Sequence, residues 1–140
     1  MFARLTMIAV LLGLVPIVGC SGNSEGRVAV SGKVTLDGQP LEQGVVRFNP
    51  VGGGLVGEGE INGGSYSLGT SNGPTPGPKE VSIVSLVDTG KTQPDEFDPM
   101  KKVPLLEQII PPRYNQATEL KIDVGTSGGT FDFDLKKDAK

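Results

Sequence analysis

The 140-residue chain sets 13 lysines and arginines against 16 aspartates and glutamates, with one cysteine and no histidine or tryptophan. Without histidine there is no Ser–His–Asp or Cys–His machinery, and the commonest zinc ligand is missing. A lone cysteine excludes an internal disulfide, the mildly acidic balance leaves no basic stripe for nucleic acid, and no residue pattern points to a cofactor.

Met1-Phe2-Ala3-Arg4 is charged, and an apolar run extends from Leu5 to Val18. These are the marks of a secretory signal peptide over residues 1–19, since a membrane span needs roughly 20 apolar residues. Ile17-Val18-Gly19-Cys20 resembles the bacterial lipobox. That resemblance implies cleavage before Cys20, acylation of its thiol, and a protein anchored by lipid to a membrane of the cell envelope. Ser21 stands where an Asp would favour inner-membrane retention, which points to the outer membrane or its equivalent. Residues 20–27 read as the lipidated Cys and a Gly/Ser-rich tether. Its seven residues after Cys20 average about 15 Å end to end and reach roughly 23 Å at most.

Residues 28–136 read as one domain of short strands. Val28, Val30, Val34 and Leu36 alternate around Gly32, and Asp37-Gly38 is a hairpin signal. Val45 to Phe48 is a second strand. Leu55 to Ile61 is a third, with Glu58 and Glu60 on one face, and Asn62-Gly63-Gly64 turns it into Ser65 to Leu68. Three prolines and three glycines make Gly69 to Pro78 a loop. Glu80 to Val87, Thr118 to Val124 and Phe131 to Leu135 complete seven strands, and residues 137–140 should fray. The pattern predicts an all-β, antiparallel sandwich.

Residues 88–117 break the rhythm, because loops beyond about 12–15 residues are uncommon in compact domains. The half from Asp88 to Asp98 is polar and is predicted to be mobile. In the other half Leu105, Leu106, Ile109 and Ile110 recur at helical spacing between Pro104 and Pro111. This predicts a one- to two-turn helix, or an extended segment, packed on the sandwich edge.

Several side chains invite a chemical role. Asp95, Glu96 and Asp98 could offer oxygens to calcium, but their spacing matches no ligand loop, and a solvated acidic turn is the better reading. Asp132 and Asp134 face outward on the last strand, as solubility and edge protection require. With Lys33 they are too exposed for an isopeptide bond. Phe131 and Phe133 belong to the core, whereas Tyr66 and Phe97 are free to face a ligand. Tyr114 is expected to tie a loop to the backbone through its hydroxyl.

Val30-Ser31-Gly32-Lys33-Val34-Thr35-Leu36-Asp37-Gly38-Gln39-Pro40-Leu41 is similar to the opening of carboxypeptidase regulatory-like domains. Asn62 to Leu68 and Pro76 to Ile83 resemble their later strands, with Lys or Glu where an aromatic is common. The resemblance implies a transthyretin-like (prealbumin-like) Greek-key sandwich of seven strands and no peptidase activity. The expected role is non-catalytic binding or scaffolding at the membrane surface. Its candidate surface is residues 88–103 with the loops 50–54 and 69–78, carried by Asp95, Glu96, Phe97, Asp98 and Tyr66. The expected partner is an envelope protein. Polysaccharide or peptidoglycan is the alternative, and a carboxylate hydrolase a more distant one.

Overall fold

The computed structural model describes residues 25–138. The expected signal peptide, Cys20 and the start of the expected tether therefore lie outside the described residues, as do the last two residues of the tail. Among the described residues no helix is long and apolar enough to cross a membrane.

The described chain is all-β. Its strands are β1 (Val30–Leu36), β2 (Gln39–Pro40), β3 (Gln43–Pro50), β4 (Gly57–Asn62), β5 (Ser65–Leu68), β6 (Gly77–Val84), β7 (Leu86–Pro94), β8 (Lys102–Gln108), β9 (Lys121–Val124), β10 (Gly129–Thr130) and β11 (Phe133–Leu135). A 3-10 turn covers Pro112–Tyr114. One curled, mostly antiparallel sheet runs β10-β1-β5-β4-β3-β6-β9, with β2 and β11 also on β1, while β7 and β8 pair only with each other.

Local chemistry explains the turns. Asp37 and Gly38 both have positive φ, the geometry of a two-residue hairpin that matches strand twist, and Leu36 then pairs with Gln39. Gly63 and Gly64 do the same between Asn62 and Ser65. Alternation fills the interior with Val34, Val46, Phe48, Ile61, Leu68, Val81, Ile83 and Leu135. Each fully buried side chain of this kind contributes about 1.5–3 kcal/mol. Phe48, Tyr66 and Phe133 form the aromatic centre, with ring centroids 5.9–6.4 Å apart.

The ends of the chain close the body. β1 pairs in parallel with β10 and β11, Val30 beside Gly129 and Val34 beside Phe133. Between those pairings Phe131 donates its N–H to Ser31 O (2.8 Å) and accepts the Tyr66 hydroxyl (2.6 Å). Gly32 makes this crossing possible, because a Cβ there would stand 1.8 Å from Phe131 O. Tyr114 meets its expectation: its hydroxyl accepts the Lys136 N–H at 3.1 Å.

The segment 88–117 departs in part from its sequence reading. Of the two forms expected for its apolar half, the extended one holds and the helix does not: Lys102–Gln108 pairs with β7 from Leu86↔Gln108 to Pro94↔Lys102, with an irregularity between Asp88 and Thr92. Pairing with β7 satisfies the backbone groups that a helix would have satisfied internally. Nor does the ribbon extend the edge of the curled sheet, since β7 and β8 pair only with each other. The chain returns to the core only beyond β8, through Ile110 and Tyr114. Asn115 holds that return, donating to Ile83 O, Ile110 O and Pro111 O at 3.1–3.2 Å.

Candidate functional site

The body has two poles. At the proximal pole the chain comes in: Arg27 donates to Val56 O and Gly73 O (2.8 and 2.6 Å), and Val28 N–H to Pro74 O. β1 and β6 both run from this pole to the distal one. There β6 gives way to β7 at Ser85, a buried joint. Ser85 donates its N–H to Gln108 Oε1 (2.9 Å) and its hydroxyl to Gln43 O (2.7 Å), and Gln43 Nε2 donates to Leu86 O. The β7–β8 arm is thus rooted opposite the point where the chain comes in.

This placement divides the expected surface. Loops 50–54 and 69–78 meet at the proximal pole, where Leu55 N–H donates to Thr75 Oγ1 (3.2 Å). Residues 88–103 belong to the distal arm, so the three segments do not form one patch.

At the tip of the arm the acidic residues serve the backbone. Asp95 Oδ1 accepts the N–H groups of Phe97 (2.9 Å) and Asp98 (3.1 Å), and Asp98 Oδ1 that of Met100 (3.1 Å). Asp95 N–H closes the loop onto Lys101 O. These bonds turn Phe97 and Met100 outward, and each is 92% exposed. Glu96 is exposed beside them. Among the described residues no three Asp, Glu, His or Cys side chains converge as a metal-binding group.

Tyr66 leaves the candidate surface: it is 4% exposed and its hydroxyl is spent on Phe131 O. Burial first, and Asp132 second, raise its phenol above the ordinary range. Lys33, Asp132 and Asp134 are exposed. Asp132 Oδ1 accepts the Lys33 N–H (2.8 Å) and Asp134 Oδ1 the Thr35 hydroxyl (2.8 Å). The Thr35 bond is the chief cause of the lowered Asp134 pKa, with burial opposing it and Lys136 assisting.

Two concavities accompany these features. A notch of about 440 Å³ lies at the root of the arm, lined by Leu36, Pro40, Leu41, Val87 and Ile109, with Asp37, Gln39, Glu42 and Lys137 also around it. A groove of about 710 Å³ runs along the β4–β5 region, where the ladder between these strands holds only at Asn62↔Ser65. Glu58, Glu60, Asn62, Ser65, Ser67 and Asn72 line it.

Sequence reasoning missed Lys79. It is 1% exposed, and its ammonium lies 3.3–3.4 Å from the carbonyl oxygens of Pro76, Gly77 and Pro78. Burial lowers its pKa, with nearby Asp123 acting the other way. The signal was there: Lys79, Val81 and Ile83 share one face of β6.

No family model matches the chain, and no curated protein does. Among solved structures, a 9R-lipoxygenase from Cyanothece PCC8801 is similar over 95% of this chain and 18% of its own length, at 13% identity and a TM-score of 0.34. The chain thus spans under a fifth of that protein, and so slight a likeness carries no argument about fold or activity.

Proposed function

We propose that this protein is a lipid-anchored, non-catalytic binding or scaffolding module of the bacterial envelope whose contact element is the β7–β8 arm. The observation that carries this reading is the polarity of the body. A lipid on Cys20 would hold the proximal pole toward its membrane, leaving the root of the arm on the far side. The two outward apolar side chains of the tip then address a partner rather than the anchoring leaflet. We further propose that the body is a variant transthyretin-like Greek-key sandwich. In its favour, the segment Val30–Leu41 folds as β1, the Asp37-Gly38 turn and β2.

A second reading, polysaccharide binding, has one observation in its favour. The β4–β5 groove offers carboxylates, amides and hydroxyls, although the aromatic ring nearest to it, Tyr66, is buried.

Photocrosslinking in intact cells separates the two. A probe at Phe97 should capture a defined protein, and one at Lys33 should not. Glycan adducts from a probe at Ser67, competed by soluble glycan, would transfer the function to the groove. Equal yields at Phe97 and Lys33 would remove the arm as the contact element.

A further inference from the structure

Three segments meet at the proximal pole: 50–57, 69–78 and 125–130. The first two are joined by Leu55 N–H on Thr75 Oγ1 and Val51 N–H on Pro78 O. The third comes beside them because Gly77 pairs with Val124, and its Gly129 N–H donates to Ala29 O. The incoming chain is stitched between them, with Gly73 so close that a Cβ there would stand 2.0 Å from Val28 O.

None of the residues in these three segments carries a charge, in a chain where 21% do. Val51 and Val56 stand out of the surface, 50% and 44% exposed, among the exposed side chains of Thr70, Ser71, Thr126 and Ser127. Charges begin only at the rim. Arg27 spends its guanidinium on Val56 O and Gly73 O, and Glu58 pairs with Arg47. Lys79 is buried, while Asp123 and Glu25 are exposed on β9 and on the incoming chain. The far end has the reverse character, since the arm tip holds Asp95, Glu96, Asp98, Lys101 and Lys102.

We infer that the proximal pole is a membrane-contact face, resting on the headgroup layer of the leaflet that holds the lipid on Cys20, so that the body stands upright instead of swinging on its tether. This deepens the lipid-anchored reading above and rests on it. The occupant follows from the length of chain beyond the pole. Arg27 fixes the incoming chain to the body, which leaves residues 21–26 as the link to Cys20, about 20 Å at full stretch. The anchoring leaflet is therefore the extended surface that this pole meets first. The chemistry agrees. Acidic side chains are repelled by the negative potential of anionic lipids, and any charged group is costly to desolvate. Aliphatic side chains instead gain by leaving water for the interface, and hydroxyls donate to phosphate and ester oxygens.

The full-length lipidated protein tests this in vesicles of phosphatidylethanolamine and phosphatidylglycerol that carry a headgroup-nitroxide lipid as quencher. Acylation of Cys20, checked by mass spectrometry, leaves no native thiol. A fluorophore is then attached at Ser127→Cys in the pole, at Lys33→Cys in β1, or at Glu96→Cys in the arm tip. Quenching should be strong at Ser127, weak at Lys33 and absent at Glu96, and at Ser127 it should persist in high salt, because the contact is uncharged. Val51→Asp with Val56→Asp should lower the Ser127 signal to the Lys33 level, and Val51→Ser with Val56→Ser should lower it part of the way. Both pairs should leave the far-ultraviolet circular dichroism unchanged, since the two valines are exposed. Quenching at Ser127 that neither pair alters overturns the inference, because the tether alone then accounts for the proximity. Quenching no greater at Ser127 than at Lys33 overturns it too. In both cases an acylated Cys20 leaves the anchored reading standing, whereas a Cys20 without acyl groups removes the anchor and this inference with it.

Discussion

The body and the arm are both antiparallel β-structure, yet they are stabilised in opposite ways. In the body every strand but the two-residue β2 and β10 turns one face into a shared interior, and the crossing of Phe131 over Gly32 locks first strand to last. The arm shares its apolar face with no other layer, and Leu86 and Leu106 remain about half exposed. Strand pairing alone gives the arm its shape, whereas packing gives the body its stability. Side chains on the arm are accordingly free to answer to a partner, and those in the body answer to one another.

The sharpest way to break this contrast is at Gly32. Gly32→Ala drives a methyl group into Phe131 O and should cost at least about 3 kcal/mol, read as a collapse of the chemical denaturation midpoint. A midpoint near wild type would show that the crossing is loose. Tyr66→Phe keeps the ring but leaves Phe131 O without the hydroxyl, and the expected loss is about 1–2 kcal/mol by the same measurement.

A smaller effect is expected at Lys79. Its folded pKa is lowered, so the unfolded chain holds the proton more tightly. Stability should therefore rise as pH climbs from the folded pKa toward the ordinary lysine value of 10.5, and the penalty is fully present below that window. Thermal melts across this range should show the rise in wild type and not in Lys79→Met. Parallel curves for the two proteins would show that the buried ammonium carries no penalty. The smallest effect on stability belongs to the tip: Phe97→Ser with Met100→Ser should shift unfolding by less than about 0.5 kcal/mol while removing capture of a partner. A larger loss would mean that the tip is packed, and the contrast between the two regions would fail.

Much of the body was legible because its signals are local. Asp37-Gly38 and Asn62-Gly63-Gly64 specify turns by their backbone demands, and Glu58 and Glu60 lie outward on β4 as alternation requires. Tyr66 was misplaced although the same rule applied: in Ser65-Tyr66-Ser67-Leu68 the serines face out, so the tyrosine faces in. The arm was harder to read. Leu105, Leu106, Ile109 and Ile110 fit a helical face, yet pairing with a β7 of unremarkable sequence makes the first two extended, and the last two lie beyond β8 where the chain returns to the core. The two poles could not be read at all, since no local pattern states which loops share an end of the body. The notch escaped for the same reason: Leu36, Leu41, Val87 and Ile109 meet there from distant parts of the chain.

The parallel pairing of β1 with β10 and β11 also sets when this protein can become itself. Val34 waits for Phe133, and Gly32 for Phe131, so the seam of the body joins residues 99 positions apart. Closing so long a span early is entropically costly. A growing chain from which β10 and β11 have not yet emerged still lacks the strands that seal the body. The order of emergence thus postpones closure of the body until its sealing strands are available.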